Sequence, residues 1–485
     1  MLRTRIPTGV GGLDDVLGGG LPRHRLYLVQ GEPGVGKTTL ALQFLQEGVR
    51  LGERVLYITL SETREELEQV CDSHGWTLDG IDLYDLSKVE SYLSASASNT
   101  VFHPSEVELN ETTRSLLALV DEVNPSRAVF DSLSEMRLLA SDPLRYRRQI
   151  LALKQYFADK KCTVLLLDDR TSDPNDLHLQ SIAHGVVLLE QTPSTYGVDR
   201  RRMRVQKLRG VNFRSGYHDV GMLTGGIRVF PRLIASEHRH DIPESQISSG
   251  VESLDNLTGG GLDRGVSNLF LGPAGSGKST LATLFAKAAA GRDEKAVLYL
   301  FEETPRTLYK RSRALGIDLE EMVKSGNIKV QHIDPAELSP GEFVQQVRDD
   351  IASGEVSLVI IDSLNGYLNA MPEDGFLILQ LHELLMFLGQ QGVTSILVVA
   401  QHGMMGASMA APFDVSYLAD TVLLFRFFEH LGHIKRAVSI LKRRGGEHDQ
   451  AIRELHFGGA EGIRVGHSME HLRGVLTGVP VPVTQ

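Results

Sequence analysis

Cysteine is nearly absent from this sequence. Two residues in 485, Cys71 and Cys162, cannot build a disulfide framework or a four-cysteine zinc site, and each reads as a small core or surface residue. Positive charge is also short. The 50 Lys and Arg stand against 61 Asp and Glu, and the formal net charge of −11 excludes a globally basic protein that coats nucleic acid, though not local basic strips. No run of 18 apolar residues is present to span a bilayer, and the first ten residues lack the apolar stretch of a signal peptide. A cytoplasmic protein with no membrane partner is therefore expected. The 17 histidines are scattered, and even His238 with His240 and His430 with His433 lack the spacing of metal ligands. What remains, 42% hydrophobic and 23% charged residues, is the composition of folded globular domains. Glycine, at 48, is in excess.

Length alone suggests about three domains, but the chain repeats itself, and the repeat decides the architecture. Thr8-Gly9-Val10-Gly11-Gly12-Leu13-Asp14, followed by Gly18-Gly19-Gly20-Leu21, returns as Ser249-Gly250-Val251-Glu252-Ser253-Leu254-Asp255, followed by Gly259-Gly260-Gly261-Leu262. The offset is 241 (Gly9 to Gly250), and it still holds at Lys37 and Lys278 and at Glu62 and Glu303. It becomes 231 at Asp131 and Asp362, and 235 at Lys207 and Lys442, as loop lengths diverge. Two related domains are expected, 1–235 and 236–485. The junction falls within 230–247, where Pro231, Pro243 and the polar string Ser236-Glu237-His238-Arg239-His240-Asp241 interrupt the apolar patterning.

Both halves read as the same series of elements. In the first, short apolar runs at 25–29, 55–60, 128–130 and 163–167 alternate with helical spacing at 39–51, 65–74 and 148–160. The second repeats the runs at 268–271, 296–301, 357–361 and 395–400. Strands alternating with helices predict an α/β fold with a mainly parallel sheet covered on both faces. The runs 186–190 with 203–208, and 421–426 with 435–441, read as antiparallel strands extending each sheet.

Chemistry is concentrated where these strands end. Gly31-Glu32-Pro33-Gly34-Val35-Gly36-Lys37-Thr38 and Gly272-Pro273-Ala274-Gly275-Ser276-Gly277-Lys278-Ser279 both fit the phosphate-loop pattern, each between an apolar run and a helix. In that setting backbone N–H groups, including those of Thr39 and Thr280, can point at phosphate oxygens. Lys37 and Lys278 would neutralise phosphate charge, and the Thr38 and Ser279 hydroxyls would hold Mg²⁺. Two such loops in register make ATP the expected ligand. Asp131 and Asp362 end apolar runs in the order expected of the carboxylate that holds the metal, although a strand-end Asp can also cap a helix. Glu302-Glu303 ends another run, expected beside the phosphate loop, where a carboxylate can accept a proton from an attacking water or hydroxyl. The matching pair is Ser61-Glu62, one carboxylate short, so the two sites are expected to differ in chemistry or rate.

With these residues assembled, the chain resembles the KaiC family of double-domain RecA-type ATPases over nearly its whole length. The resemblance rests on the doubled glycine-rich openings, both phosphate loops, Phe301-Glu302-Glu303-Thr304-Pro305, Asp362-Ser363-Leu364, Lys442-Arg443-Arg444-Gly445, Ala451-Ile452-Arg453-Glu454 and Leu472-Arg473-Gly474-Val475-Leu476-Thr477-Gly478. It implies two tandem RecA-like domains in a homohexamer of two stacked rings, with ATP and Mg²⁺ between neighbouring subunits. Lys207 and Arg209, and Lys442 and Arg444, would then reach the nucleotide of the next subunit as arginine fingers. The family's second domain can phosphorylate itself on an adjacent Ser-Thr pair. In Val415-Ser416-Tyr417-Leu418-Ala419-Asp420-Thr421, Ser416 matches the serine and Tyr417 replaces the threonine. Signalling partners of the KaiB or histidine-kinase kind are implied, whereas the tail that binds KaiA in clock proteins is expected to be missing.

The leading expectation is thus an ATP-hydrolysing hexamer whose nucleotide or phosphorylation state is read by partner proteins, with Ser416 either the acceptor of a serine autokinase activity or a small residue packed near the subunit boundary. A DNA-processing motor of the same class is the alternative suggested by Arg200-Arg201-Arg202-Met203-Arg204 and Lys442-Arg443-Arg444. The net charge of −11 and the lack of an aromatic base-stacking stretch argue against it. A nucleotide-gated scaffold is the third reading, motivated by Ser61.

Overall fold

The computed structural model describes residues 5–85, 104–140, 142–169, 178–194, 197–238, 240, 242, 244–369, 377–401, 416–458, 462–477 and 480–483. Arg239, Asp241 and Pro243 of the junction, with Val415 and Gly478, lie outside the described residues. The chain divides into two compact units, Met1–Arg232 and Leu233–Gln485, each built on one nine-stranded sheet.

In the first unit the strands are β1 (Leu26–Gly31), β2 (Val55–Thr59), β3 (Ile81–Asp85), β4 (Arg127–Asp131), β5 (Thr163–Asp169), β6 (Gly185–Thr192), β7 (Arg200–Leu208), β8 (His218–Leu223) and β9 (Gly226–Phe230). Their spatial order is β3-β2-β4-β5-β1-β6-β7-β8-β9. The first six pair in parallel, and β7 to β9 extend the sheet antiparallel. The second unit repeats this with β10 (Ser267–Gly272), β11 (Lys295–Leu300), β12 (Ile328–His332), β13 (Val356–Asp362), β14 (Thr394–Ala400), β15 (Thr421–His430), β16 (His433–Arg443), β17 (Arg453–His456) and β18 (Arg464–Ser468). The order β12-β11-β13-β14-β10-β15-β16-β17-β18 is the same, strand for strand. Each unit is thus a RecA-like α/β domain.

The central strands are apolar throughout because helices cover both faces. Every residue of β1, β2 and β4 is buried. On one face Tyr27, Val29 and Tyr57 pack with Leu40 and Phe44 of the helix Lys37–Arg50 and with Met203 and Ile227 of the extension. On the other, Leu28, Leu56 and Phe130 pack with Leu153 and Phe157 of the helix Pro143–Asp159. Both cysteines are buried free thiols, Cys71 in the first of these cores and Cys162 in the second.

Most helices start as their sequences dictate. Thr63 accepts from the Glu66 N–H while the Glu66 carboxylate accepts from the Thr63 N–H, a reciprocal cap, and Gly75 in the left-handed region ends that helix at His74. Thr304 caps Pro305–Arg313 in the matching place. The two helices that follow the phosphate loops, Lys37–Arg50 and Lys278–Ala290, begin instead at Gly36 and Gly277 with no side-chain cap.

The largest fully buried side chain among the described residues is a charged one, Arg127. The Arg127 guanidinium pairs with Glu53 at 2.5 Å, donates to the Pro7 and Phe44 carbonyls at 2.8 and 2.9 Å, and lies 4.8 Å over the Phe44 ring. Removing it strands Glu53 and two carbonyls. Arg127→Ala is expected to destabilise the protein by roughly 3–5 kcal/mol, read as a lower urea midpoint with nucleotide absent.

Candidate functional site

Because β1 to β6 run in parallel, every loop that leaves a C-terminal strand end opens on the same edge of the sheet. The phosphate loop leaves β1, Glu62 follows β2, Asp131 ends β4 and Asp169 ends β5. β10, β11, β13 and β14 deliver Lys278, Glu302 with Glu303, Asp362 and Ala400 to the corresponding edge of the second unit.

The loops themselves require glycine. Gly34 and Gly36 have φ of 80° and 106°, Gly275 and Gly277 of 77° and 107°, in the left-handed region that other residues enter at a cost. Gly36 is also cramped: a β-carbon there would lie 2.7 Å from Met222 and 2.8 Å from Ile227 on the extension, and one at Gly277 would strike the Phe457 ring. Nothing lies within 4 Å of the same point on Gly34. With no side chain spent on capping, the first-turn N–H groups of the following helices, at Thr39 and Thr280 among others, are left for an anion. Lys37 and Lys278 fold back over their loops, donating to the carbonyls of Gly31 and Glu32 at 3.0 and 2.9 Å and of Gly272 and Pro273 at 2.8 and 2.7 Å.

Around Thr38 the first unit gathers acceptors. The Thr38 hydroxyl donates to Asp131 Oδ2 at 3.1 Å and lies 3.5 Å from Glu62 Oε1, and the Tyr57 hydroxyl donates to the same Asp131 oxygen at 2.5 Å. Burial pushes the Asp131 carboxyl above its usual range, against the Tyr57 and Thr38 hydrogen bonds. Glu62 is pushed up to about 7, by burial first and then by the charges of Asp131 and Glu66. Its Oε2 is buried with no hydrogen-bond partner. A hydroxyl, a buried carboxylate and an unpartnered carboxylate oxygen are the hard oxygen donors that suit Mg²⁺, which keeps most of its shell as water and phosphate. Among the described residues no group of three or more His, Cys, Asp or Glu could hold a metal.

The second unit shares one of these features and differs in two. Asp362 bonds Ser279, and burial raises its carboxyl too. Glu303, the counterpart of Glu62, is gripped by both arms of Arg311 at 2.8 and 3.2 Å, and Arg311 also donates to Thr280 Oγ1 at 3.0 Å. Glu302 instead acts on Lys278, whose ammonium burial pushes down to about 8 against the pull of Asp362 and Glu302. The glutamates are brought to the loop from a strand that is not its neighbour. β11 is not the neighbour of β10, since β13 and β14 lie between them. Chain order does not reveal sheet order, and the glutamates approach the loop only because the backbone runs on past the end of β11.

Lys207, Arg209, Lys442 and Arg444 lie at the other end of their sheets. Lys207 pairs with Val186 and Lys442 with Val422, near the N-terminal ends of β6 and β15, whereas the loops leave the C-terminal ends of β1 and β10. The separation is about four strand residues, roughly 13 Å. Lys207 and Arg209 donate to the carbonyls after the helix His178–Ile182 begins, at Gln180 and Ser181. Lys442 donates to the Ser416 and Ala419 carbonyls at 3.1 and 2.7 Å, and Arg444 pairs with Asp420 at 3.3 Å. Ser416 and Tyr417 are exposed at this same end.

Two residues of the basic strips are engaged within their own unit. Arg443 is buried against Asp263 at 2.8 Å, and Arg202 pairs with Glu190 at 3.0 Å while stacking on Tyr217. Sequence reading also missed groups that border the loops. Arg436 lies over Phe427 and Phe457 and donates to the Gly275 carbonyl at 3.3 Å, and Asp169 meets Lys37 at 2.7 Å. Arg436 comes from the antiparallel extension, out of reach of any local motif. Asp169 could have been flagged as a carboxylate at a strand end.

Gly36→Ala combines left-handed strain of roughly 1–2 kcal/mol with overpacking of roughly 1–3 kcal/mol, whereas Gly34→Ala carries the strain alone. Urea midpoints are expected to fall further for the former.

Comparison with known proteins agrees with this geometry. The family model described as "ATPase: KaiC" matches residues 6–234 and again 247–470. The circadian clock oscillator protein KaiC of Acaryochloris marina is 26% identical over 99% of this chain and 92% of its own length, and that of Thermostichus vulcanus is 26% identical with the same coverage. The circadian clock protein KaiC3 of Synechocystis is 25% identical over 99% of this chain and 95% of its own. With two phosphate-loop domains, each matched by that family model, the chain belongs to the KaiC family of ATPases.

Proposed function

We propose that this protein hydrolyses ATP with Mg²⁺ at both phosphate loops of a closed ring, each site being completed by the next copy of the chain, and that partner proteins of the KaiB or histidine-kinase kind read its nucleotide state. The observation that carries the reading is the polarity of the units. The loops and the Lys207/Arg209 and Lys442/Arg444 pairs lie at opposite ends of each sheet, so neither pair can serve its own loop. Head-to-tail contact brings one end to the other, and such contacts close into rings. The number six, and the stacking of two rings, come from the family resemblance.

At each site the first-turn N–H groups and the loop lysine would bind the phosphates, while Thr38 with Asp131, or Ser279 with Asp362, would hold Mg²⁺. The metal supplies charge neutralisation across the phosphates. In the second unit Arg311 immobilises Glu303, which leaves Glu302 to take the proton of the attacking group. A DNA motor finds no support in the paired and buried arginines.

Two outcomes are expected. With Lys37→Ala in every chain to silence the first unit, Lys278→Ala and Arg444→Ala should each abolish most phosphate release. Chains carrying the two changes, mixed one to one and allowed to exchange, should recover about a quarter of the turnover, because a finger acting in trans pairs good halves at random. No recovery would exclude the shared site. Ser416, on the finger end, lies away from its own loop and would receive a phosphoryl group only from a neighbour's ATP. Incubation with Mg²⁺ and ATP should place phosphate on Ser416, by mass spectrometry, in the wild type and not in Lys278→Ala.

A further inference from the structure

The second unit has Glu302 at the end of β11, and in the first unit that position is Ser61. The correspondence is structural as well as sequential: the Leu60 N–H donates to the Asp131 carbonyl, as the Phe301 N–H does to that of Asp362, so Ser61 and Glu302 are each the next residue out. Two strands further in, the exchange is reversed. Gly31 pairs with Asp169 on β5, and Gly272 pairs with Ala400 on β14. The first unit therefore has Ser61 and Asp169 where the second has Glu302 and Ala400. A carboxylate has been lost from one strand end and gained at another, on the same edge of the sheet.

Asp169 is aimed at the loop. Its Oδ1 lies 2.7 Å from Lys37 Nζ, the group that in a phosphate loop meets the outermost phosphates. Asp131 and Glu62 both lie within reach of its charge. The strand end is held firmly. The preceding residue, Asp168, is buried and accepts from Gln30 Nε2 at 2.7 Å, and the Asp169 N–H donates to Ser134 Oγ at 3.3 Å. Successive residues on a strand face opposite ways, so anchoring Asp168 on one side of the sheet fixes Asp169 on the other. Among the described residues no carboxylate forms an ion pair with Lys278, whose ammonium donates to the Gly272 and Pro273 carbonyls, and Ala400 offers no side-chain acceptor.

We infer that Asp169 is the catalytic carboxylate of the first unit, standing in for the glutamate absent at Ser61. This rests on the ATPase reading above and goes beyond it. A water held by Asp169 transfers one proton to the carboxylate as its oxygen bonds the γ-phosphorus. The bond from that phosphorus to the bridging oxygen breaks, its electron pair leaves with ADP, and Asp169 returns the proton to solvent. The two units thus run one reaction with their bases on different strands.

The test uses the full chain with Lys278→Ala, so that turnover comes from the first unit, and reads both phosphate release and binding of Mg²⁺ with ATPγS by equilibrium dialysis. Asp169→Asn is expected to lower phosphate release by about 100-fold or more while ATPγS affinity stays within about threefold or tightens. Adding Ser61→Glu to Asp169→Asn should restore turnover, which a merely structural loss would not allow. Unchanged or faster turnover in Asp169→Asn overturns the inference, the second result making Asp169 a brake on Lys37. If the Lys278→Ala parent binds ATPγS but turns over no ATP, the first unit has no working base and the inference falls while nucleotide binding stands. If that parent binds no ATPγS, the ATPase reading of the first unit fails with it.

Discussion

The direction in which the strands run is the constraint on which everything else in this molecule depends. Parallel pairing of β1 to β6, and of β10 to β15, puts all the strand-to-helix turns of a unit on one edge. The first-turn amides, the Thr38 hydroxyl and the acidic groups beside it are then gathered from segments far apart in sequence: Thr38 and Asp131 are 93 residues apart yet share a hydrogen bond. Antiparallel return of β7 and β16 carries the Lys and Arg pairs to the opposite edge. One choice of strand direction thus puts the phosphate loops at one edge and the Lys and Arg pairs at the other.

The two edges differ in the charged groups they hold. The phosphate edge concentrates carboxylates that burial holds against their preference for charge, as at Asp131 and Asp362. These groups are costly alone and are relieved by a cation. The other edge holds ammonium and guanidinium groups, several of them satisfied only by backbone carbonyls of their own unit. Those contacts also fix where the ammonium and guanidinium groups point.

Duplication has let the two sites drift without disturbing this frame. Arg311 occupies Glu303 in the second unit, but the position matching Arg311 in the first is Val70, and Glu62 is left beside Thr38 and Asp131. Tyr57 braces Asp131, where the second unit has Leu298. Each change alters the surroundings of a carboxylate while the backbone register of the sheet stays the same, because the strands are fixed by apolar packing on both faces and the chemistry sits on the loops beyond them.

Much of this was legible in the sequence. The repeat, the phosphate loops, the strand-end aspartates and the antiparallel pairs at the end of each half all arise from local pattern: glycine where φ must be positive, apolar runs where a strand is covered twice, a breaker where it stops. Less legible were the strands without a clean apolar run, such as Ile81–Asp85 and His218–Leu223, which are partly exposed. By itself the sequence determined that there are two copies of one nucleotide-binding unit, because those signals act over a few neighbouring residues. Only the tertiary structure decided that β11 stands two strands away from β10, that Arg443 is buried while Arg444 is not, and that Asp169 meets Lys37. Each of these depends on which strand lies beside which, and that order is set by crossovers and packing on both faces of the sheet, to which local pattern is blind.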